Sequence, residues 1–304
     1  MKSIRIGTRG SQLALWQANE LSRLLREAGA HPEIVIIKTT GDRRQDVPLA
    51  SIGGKGLFIK ELEEALLSRH VDLAVHSLKD VPSIIPEEFV LAGFLERADP
   101  RDVWIRHDGA SLDALPEGAL VGTSSPRRQA QILARWPHLR VEGIRGNVET
   151  RISRQREGSF DAVVLASAGL TRLGWLEQAA GFFAVHELVP AAGQGIIGLE
   201  TVKGRDDVID IARQINHLPS ETAALIERGI LQEFETRLDC YSPIAVHAAV
   251  SDGEIMVRTF VGELDGHNAI RIERTGSSPA ELIPEVATAL RSAGALDILA
   301  RAAG

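Results

Sequence analysis

One order of elements is written twice in this chain, and that repetition limits the fold more than any other feature. The residues Ile4-Arg5-Ile6 read as a short strand ending at Gly7-Thr8-Arg9. Ser11 is placed to cap the helix that follows, in which Ala14, Ala18, Leu21 and Leu25 recur at helical spacing. Further on, Ala119-Leu120-Val121 ends at Gly122-Thr123-Ser124-Ser125, and Pro126 stands at the first position of the next helix. Each copy later holds an apolar strand led by aspartate, Asp72-Leu73-Ala74-Val75 in one and Asp161-Ala162-Val163-Val164-Leu165 in the other. Between these landmarks, 34–37 and 71–76 read as buried strands, and 139–142 as a strand running into Arg145-Gly146-Asn147. Phe58, Leu62, Ala65 and Leu66 mark a helix after a glycine loop at 53–56, and another helix spans about 148–157. Strands alternating with helices predict parallel sheets, hence two α/β lobes.

The last third is patterned differently. Asp252-Gly253 and Asp265-Gly266 are hairpin-type turns. Around them Ile255 and Val257, then Ile270 and Ile272, alternate with polar residues, and a helix follows with Leu282, Val286, Ala289 and Leu290 on one face. The expected architecture is two doubly wound α/β lobes and a smaller α+β domain. Ligands of such lobes sit beyond the carboxyl ends of the strands, at the mouth between lobes.

Composition narrows the function. A chain of 304 residues is long enough for two or three domains. The one cysteine, Cys240, has no internal partner for a disulfide, and the first residues enter a strand without an apolar signal core, so the cytoplasm is the expected compartment. No uncharged apolar run reaches membrane-spanning length. A net charge of −7 with 4% aromatics argues against nucleic acid as a partner.

Within this acidic chain the cations gather at the predicted strand ends. The first strand delivers Arg9 and Ser11, and the strand at 71–76 delivers Lys79 and Asp80. The second lobe delivers Thr123, Ser124, Ser125, Arg127, Arg128 and Arg145, with Arg151 in the next helix. Hydroxyls, guanidiniums and open N–H groups at helix starts are anion sites. Several of them together point to a ligand with several carboxylates; the alternative for each arginine is a solvated face paired with a nearby acid. Asp80, ionised among cations, suits stabilisation of a developing positive charge or proton transfer, and equally suits a structural turn before Val81-Pro82. Cys240 is a nucleophile, an anchor or a small buried hydrophobe. The run Gly193-Gln194-Gly195-Ile196-Ile197-Gly198 fits a G-x-G-x-x-G pattern but leads into Leu199-Glu200-Thr201-Val202 rather than a clear helix, so it reads as a flexible backbone crossing. No Ser or Thr follows Lys55 as a phosphate loop requires, and the nine histidines form no metal-ligand spacing.

Six segments in this order, IGTRGSQLALWQA (6–18), GGKGLFIKELE (53–63), DLAVHSLKDVP (72–82), GTSSPRRQ (122–129), RGNVETR (145–151) and PAAGQGIIGLE (190–200), resemble the hydroxymethylbilane synthase (porphobilinogen deaminase) family. The resemblance implies two periplasmic-binding-protein-like lobes, 1–96 with 190–213 and 97–189, followed by an α+β domain at 214–304. It implies a monomer that condenses porphobilinogen and its oligomers on a dipyrromethane cofactor, held through a thioether that falls on Cys240. Asp80 matches the family's catalytic aspartate, expected to contact pyrrole nitrogens while ammonia leaves. Lys79, Thr123, Ser125, Arg127 and Arg128 match cofactor-binding positions. Arg9, Ser11, Lys55, Arg145, Arg151 and Arg172 match positions that bind the carboxylates of the growing chain. The family usually places two glycines directly before its cysteine; here Leu238-Asp239 stands there, which implies a shorter and stiffer loop.

Overall fold

The computed structural model describes residues 2–39, 59–234 and 242–302. In chain order the first elements are β1 (Ser3–Thr8), α1 (Gln12–Glu27), β2 (His31–Ile36), α2 (Lys60–Leu67), β3 (Leu73–Ser77) and β4 (Phe89–Phe94). Then come β5 (Asp102–Ile105), β6 (Leu120–Gly122), α3 (Pro126–Arg135), β7 (Arg140–Glu142), α4 (Val148–Arg156), β8 (Ala162–Ala166), α5 (Ser167–Leu173) and β9 (Gly181–Phe182). The last are β10 (Ile197–Val202), α6 (Asp206–Gln214), α7 (Leu218–Gln232), β11 (Ile244–Ser251), β12 (Glu254–Val261), β13 (Ile270–Gly276), α8 (Pro279–Ser292) and α9 (Ala295–Ala302). They form two compact units, 1–98 with 195–224 and 99–194 with 225–304.

The first unit holds a five-stranded sheet in the order β2-β1-β3-β10-β4. Strands β1, β2 and β3 are parallel, whereas β10 runs antiparallel to both of its neighbours. One face packs on α1 and α6 through Ile4, Ile6, Leu21, Leu25, Leu73, Leu199 and Val208, and the other on α2 through Leu62, Leu66, Val71, Ala74 and Phe89. Helices on both faces make the sheet doubly wound. Leu21 and Leu25 are fully buried, and each such burial contributes about 1.5–3 kcal/mol. The segment 34–37, expected to be buried, lies on the edge strand β2, whose Ile36 is 54% exposed. Its apolar residues meet a neighbouring strand on one side, at β1.

The second unit repeats the plan. Its sheet runs β7-β6-β8-β5-β9, with β6 parallel to β7 and β8 and β5 antiparallel to β8 and β9. The two aspartate-led segments noted in the sequence lead into β3 and β8, the middle strands of their sheets. Both sheets are therefore mixed rather than wholly parallel. In each, the antiparallel neighbour of the middle strand belongs to a crossing segment and not to the strand–helix alternation that set the expectation. The α+β part of this unit is the sheet β11-β12-β13 with α8 on it. Asp252 and Gly253 both take positive φ, 51° and 82°, as a two-residue turn of the I′ type requires. Asp265-Gly266 instead lies in a longer loop, because Val261 pairs with Ile270. On α8 the buried face is Leu282, Val286, Ala287 and Leu290, so Ala287 replaces Ala289 in the expected stripe.

Candidate active site residues in the two units

In the first unit the candidate residues cluster at the carboxyl ends of β1 and β3, which lie side by side. Ser11 caps α1: its Oγ accepts from the Ala14 N–H at 3.3 Å. Arg9, half-buried, sits between that cap and the end of β1. The turn after β3 hangs on Leu78, which is 1% exposed. The Leu78 N–H donates to Ile196 O at 3.0 Å, and the Val81 N–H closes the turn on Leu78 O at 3.0 Å. One residue earlier, Gln17 Nε2 donates to Ser77 Oγ at 2.7 Å and so ties α1 to the end of β3. With Leu78 fixed inward, Lys79 and Asp80 are exposed on the next two positions. Beneath the turn, His76 Nε2 lies 2.9 Å from Glu200 Oε2 in a buried pair between β3 and β10. Burial and the nearby Glu200 carboxylate raise the pKa of Glu63 on α2.

In the second unit the loop after β6 and the loop after β7 come together. The Ser124 hydroxyl donates to Ile144 O at 2.7 Å, and the Thr123 N–H donates to Glu142 O at 2.9 Å. The Ser125 N–H reaches Thr123 Oγ1 at 3.2 Å, and Ser125 Oγ accepts the Arg128 N–H at 3.4 Å as the cap of α3. Asn147 caps α4 by accepting from the Thr150 N–H at 2.9 Å. Arg151, one turn into α4, reaches back from Nε to Gly146 O at 2.9 Å. Gly146 takes φ +104°, and a Cβ there would lie 2.6 Å from the Thr150 side chain, so only glycine fits the bend between Arg145 and the cap. The arrangement gathers Thr123, Ser125, Arg145 and Arg151 at one end of the sheet.

Arg127 and Arg128 are turned inward at the same end of the sheet, where Asp102 pairs with Ala166 at the end of β8. Both are 5% exposed and converge on Asp102, the first residue of β5, which is fully buried. Arg128 donates from Nε and Nη2 to Asp102 Oδ1 at 3.1 and 2.6 Å, and from Nη1 to Val164 O at 2.9 Å. Arg127 Nη1 lies 2.8 Å from Asp102 Oδ2 and donates to Val189 O at 2.7 Å. Burial alone would raise the Asp102 carboxyl; the two guanidiniums overrule it and hold the group far below the usual carboxylate range. Burial in turn lowers Arg127, against the pull of Asp102. Two guanidiniums on one carboxylate leave one positive charge in excess among these three groups. Neither reading of this pair from sequence described a buried pair. Arg172, on α5, is also buried, and burial pulls its pKa down to about 10, which leaves it charged at neutral pH. Lys55 and Cys240 lie outside the described residues, as does the 53–56 loop.

Three functional candidates escaped the sequence reading. Asp102 opens an apolar strand, DVWI, where a charge is out of place unless paired. Glu227 falls in the buried stripe of α7 with Ala223, Ala224, Ile226 and Ile230. Gln194 lies in the glycine-rich crossing, which is not loose: Gly193 and Gln194 are buried, the Gly193 N–H donates to Glu227 Oε2 at 2.6 Å, and Gln194 Nε2 donates to Asp102 Oδ1 at 2.9 Å.

Two doubly wound lobes, with hydroxyls, helix starts and cations at the carboxyl ends of their strands, and a small α+β domain define a two-lobed α/β protein. Residues 4–210 match the model of the porphobilinogen deaminase dipyromethane cofactor binding domain, and residues 222–292 match that of the porphobilinogen deaminase C-terminal domain. The chain belongs to the porphobilinogen deaminase family. It is 44% identical over 303 residues to the porphobilinogen deaminase of Halalkalibacterium halodurans, covering 98% of this chain and 97% of that one. It is 46% identical over 268 residues to that of Syntrophomonas wolfei, covering 88% and 87%. A Salmonella typhimurium periplasmic binding protein of high arginine specificity superposes on 71% of this chain and 92% of its own, with a TM-score of 0.39 and 10% identity.

Proposed function

We propose that this chain deaminates four porphobilinogen molecules and joins them head to tail, then releases the linear tetrapyrrole hydroxymethylbilane. The observation that carries the reading is the Lys79-Asp80 turn, held rigidly by Leu78 with its carboxylate outward, within a family of porphobilinogen deaminases. As ammonia leaves, positive charge develops on the substrate pyrrole. A fixed carboxylate at Asp80 stabilises that charge and accepts from pyrrole N–H groups, with no reorganisation needed at that moment. Lys79, Arg9 and Ser11 in the same unit bind substrate carboxylates.

The donor set of the second unit fits a dipyrromethane primer. Hydroxyls at Thr123 and Ser125 and the cations Arg127, Arg128, Arg145 and Arg151 match a group that carries several carboxylates. The charge excess around Asp102 supports this fit. Arg127 and Arg128 act within this reading as a buried, pre-oriented source of positive potential, with part of their donor capacity already committed to Asp102. Cys240 is the thioether anchor, and Lys55 and Arg172 complete the cationic set. The primer supplies the pyrrole carbon on which the chain is extended. The reading also assigns three domains (1–96 with 190–213, 97–189, 214–304), a monomer, and the cytoplasm. No described helix is long and apolar enough to cross a membrane.

Intact mass spectrometry tests the proposal. The purified protein should exceed the mass of its bare chain by two porphobilinogen units less two ammonias, and added substrate should produce further species at regular increments. Asp80→Asn should keep the primer mass yet lose turnover by about 10²–10³-fold, the loss expected for one preorganised electrostatic group. A wild-type protein of bare mass that never gains increments defeats the anchor and the elongation together. Near-normal turnover in Asp80→Asn makes Asp80 a turn residue.

A further inference from the structure

We infer that Glu227 is a positioning residue for the arginines of α3, acting through the backbone of Gly193 and the side chain of Gln194. The inference rests on the carboxylate-binding role proposed for Arg127 and Arg128.

Glu227 is fully buried on α7. Its Oε2 accepts the Gly193 N–H at 2.6 Å, and its Oε1 accepts the Ala248 N–H of β11 at 2.7 Å. His247 Nδ1 lies 3.4 Å from the same Oε1. Gly193 takes φ +73°, in the left-handed region that favours glycine. The next side chain, Gln194, is 1% exposed and donates from Nε2 to Pro100 O at 2.7 Å and to Asp102 Oδ1 at 2.9 Å. That Oδ1 is the atom that receives Arg128 Nε and Nη2.

The near end of the same segment is stitched to α3 as well. Val189 O accepts from Arg127 Nη1 at 2.7 Å and from Gln131 Nε2 at 3.0 Å, while the Val189 N–H donates to Gln131 Oε1 at 2.7 Å. Residues 189–194 therefore run as a strap. One end sets Arg127, the other sets Asp102 and through it Arg128, and Glu227 fixes the Gln194 end onto α7 and β11. Two backbone N–H donors converge on one side chain, which requires two acceptor oxygens. An amide at 227 turns an NH2 towards one of those donors. An apolar residue at 227 would leave both buried N–H groups without an acceptor, so it is the carboxylate that fastens the Gly193–Gln194 end and β11 to α7.

The test compares wild type with Glu227→Gln, with porphobilinogen as the probe. It uses steady-state kinetics and intact mass, at a temperature where circular dichroism shows both proteins folded. The expected result is a KM raised about tenfold or more, in line with the loss of a charge-assisted bond. The masses should shift towards species with fewer added units, and kcat should fall less than KM rises. A folded variant with unchanged KM and an unchanged distribution of masses overturns the inference. Should Glu227→Gln not fold, Gln194→Met cuts the same strap at its Asp102 end without removing a charge, and the same two outcomes decide. A wild-type protein that never gains mass increments overturns the functional reading itself, and that result is read on wild type alone.

Discussion

A carboxylate shared by two guanidiniums in a dry site behaves differently from a surface ion pair. Removing Asp102 strands two buried cations, so Asp102→Asn should cost about 3–5 kcal/mol. The pH dependence follows from the depressed carboxyl. A group whose folded pKa lies below its unfolded value stabilises fully above the unfolded value, near 3.9 for aspartate, and loses that contribution as pH falls through the folded one. The difference in Tm between wild type and Asp102→Asn should therefore stay constant from about pH 5 to pH 8 and shrink below about pH 4. A difference that is flat into strong acid would mean that Asp102 gains nothing from its arginines. At this scale the sequence told half of the story. Ser11 was legible as a cap and Pro126 as the first residue of its helix, because helix starts are local chemistry. The inward turn of Arg127 and Arg128 was not, because their partner lies 25 and 26 positions away, at the start of strand β5.

Elements were legible where the pattern was local and misread where neighbours decided. The helices α1 and α8 follow the apolar spacing that marked them, with Ala287 in place of Ala289 in α8, and α4 fills the expected span to within a residue. β2 carries an apolar run yet is an edge, and nothing within that run says how many strands will flank it. The antiparallel entry of β5 and β10 was hidden for the same reason: strand direction depends on the path of the connecting chain. The start of α3 gives a test at this scale. Ser125→Ala removes the acceptor for the Arg128 N–H and should lower stability by about 1 kcal/mol in urea denaturation. Ser125→Gly should lose only a few tenths, since glycine is tolerated at a cap. Equal losses in the two variants would show that the hydroxyl, and not the backbone conformation, sets the cost. If Ser125 also holds the primer, both variants will carry less of it.

On the scale of the whole molecule, the two sheets share one strand plan, β2-β1-β3-β10-β4 and β7-β6-β8-β5-β9, but they are completed differently. The second sheet draws all of its strands from 102–182, whereas the first takes β10 from 197–202. β10 is no peripheral addition. It lies between β3 and β4, and Leu199 is fully buried in the core that α1 covers. A fragment ending near residue 96 should therefore fail to give a cooperative unfolding transition, while 99–194 with 225–304 retains its sheets intact. Circular dichroism of the fragment under heating checks this, and a sharp transition would count against it. The arrangement has a consequence for how the protein is born. A ribosome makes β1, β3 and β4 first, but their sheet has to wait, with the facing edges of β3 and β4 unsatisfied, until more than a hundred further residues have emerged. The portion synthesised later can finish its own sheet sooner, so the order of maturation runs against the order of translation. Newly made chains will spend that interval exposed to chaperones and proteases.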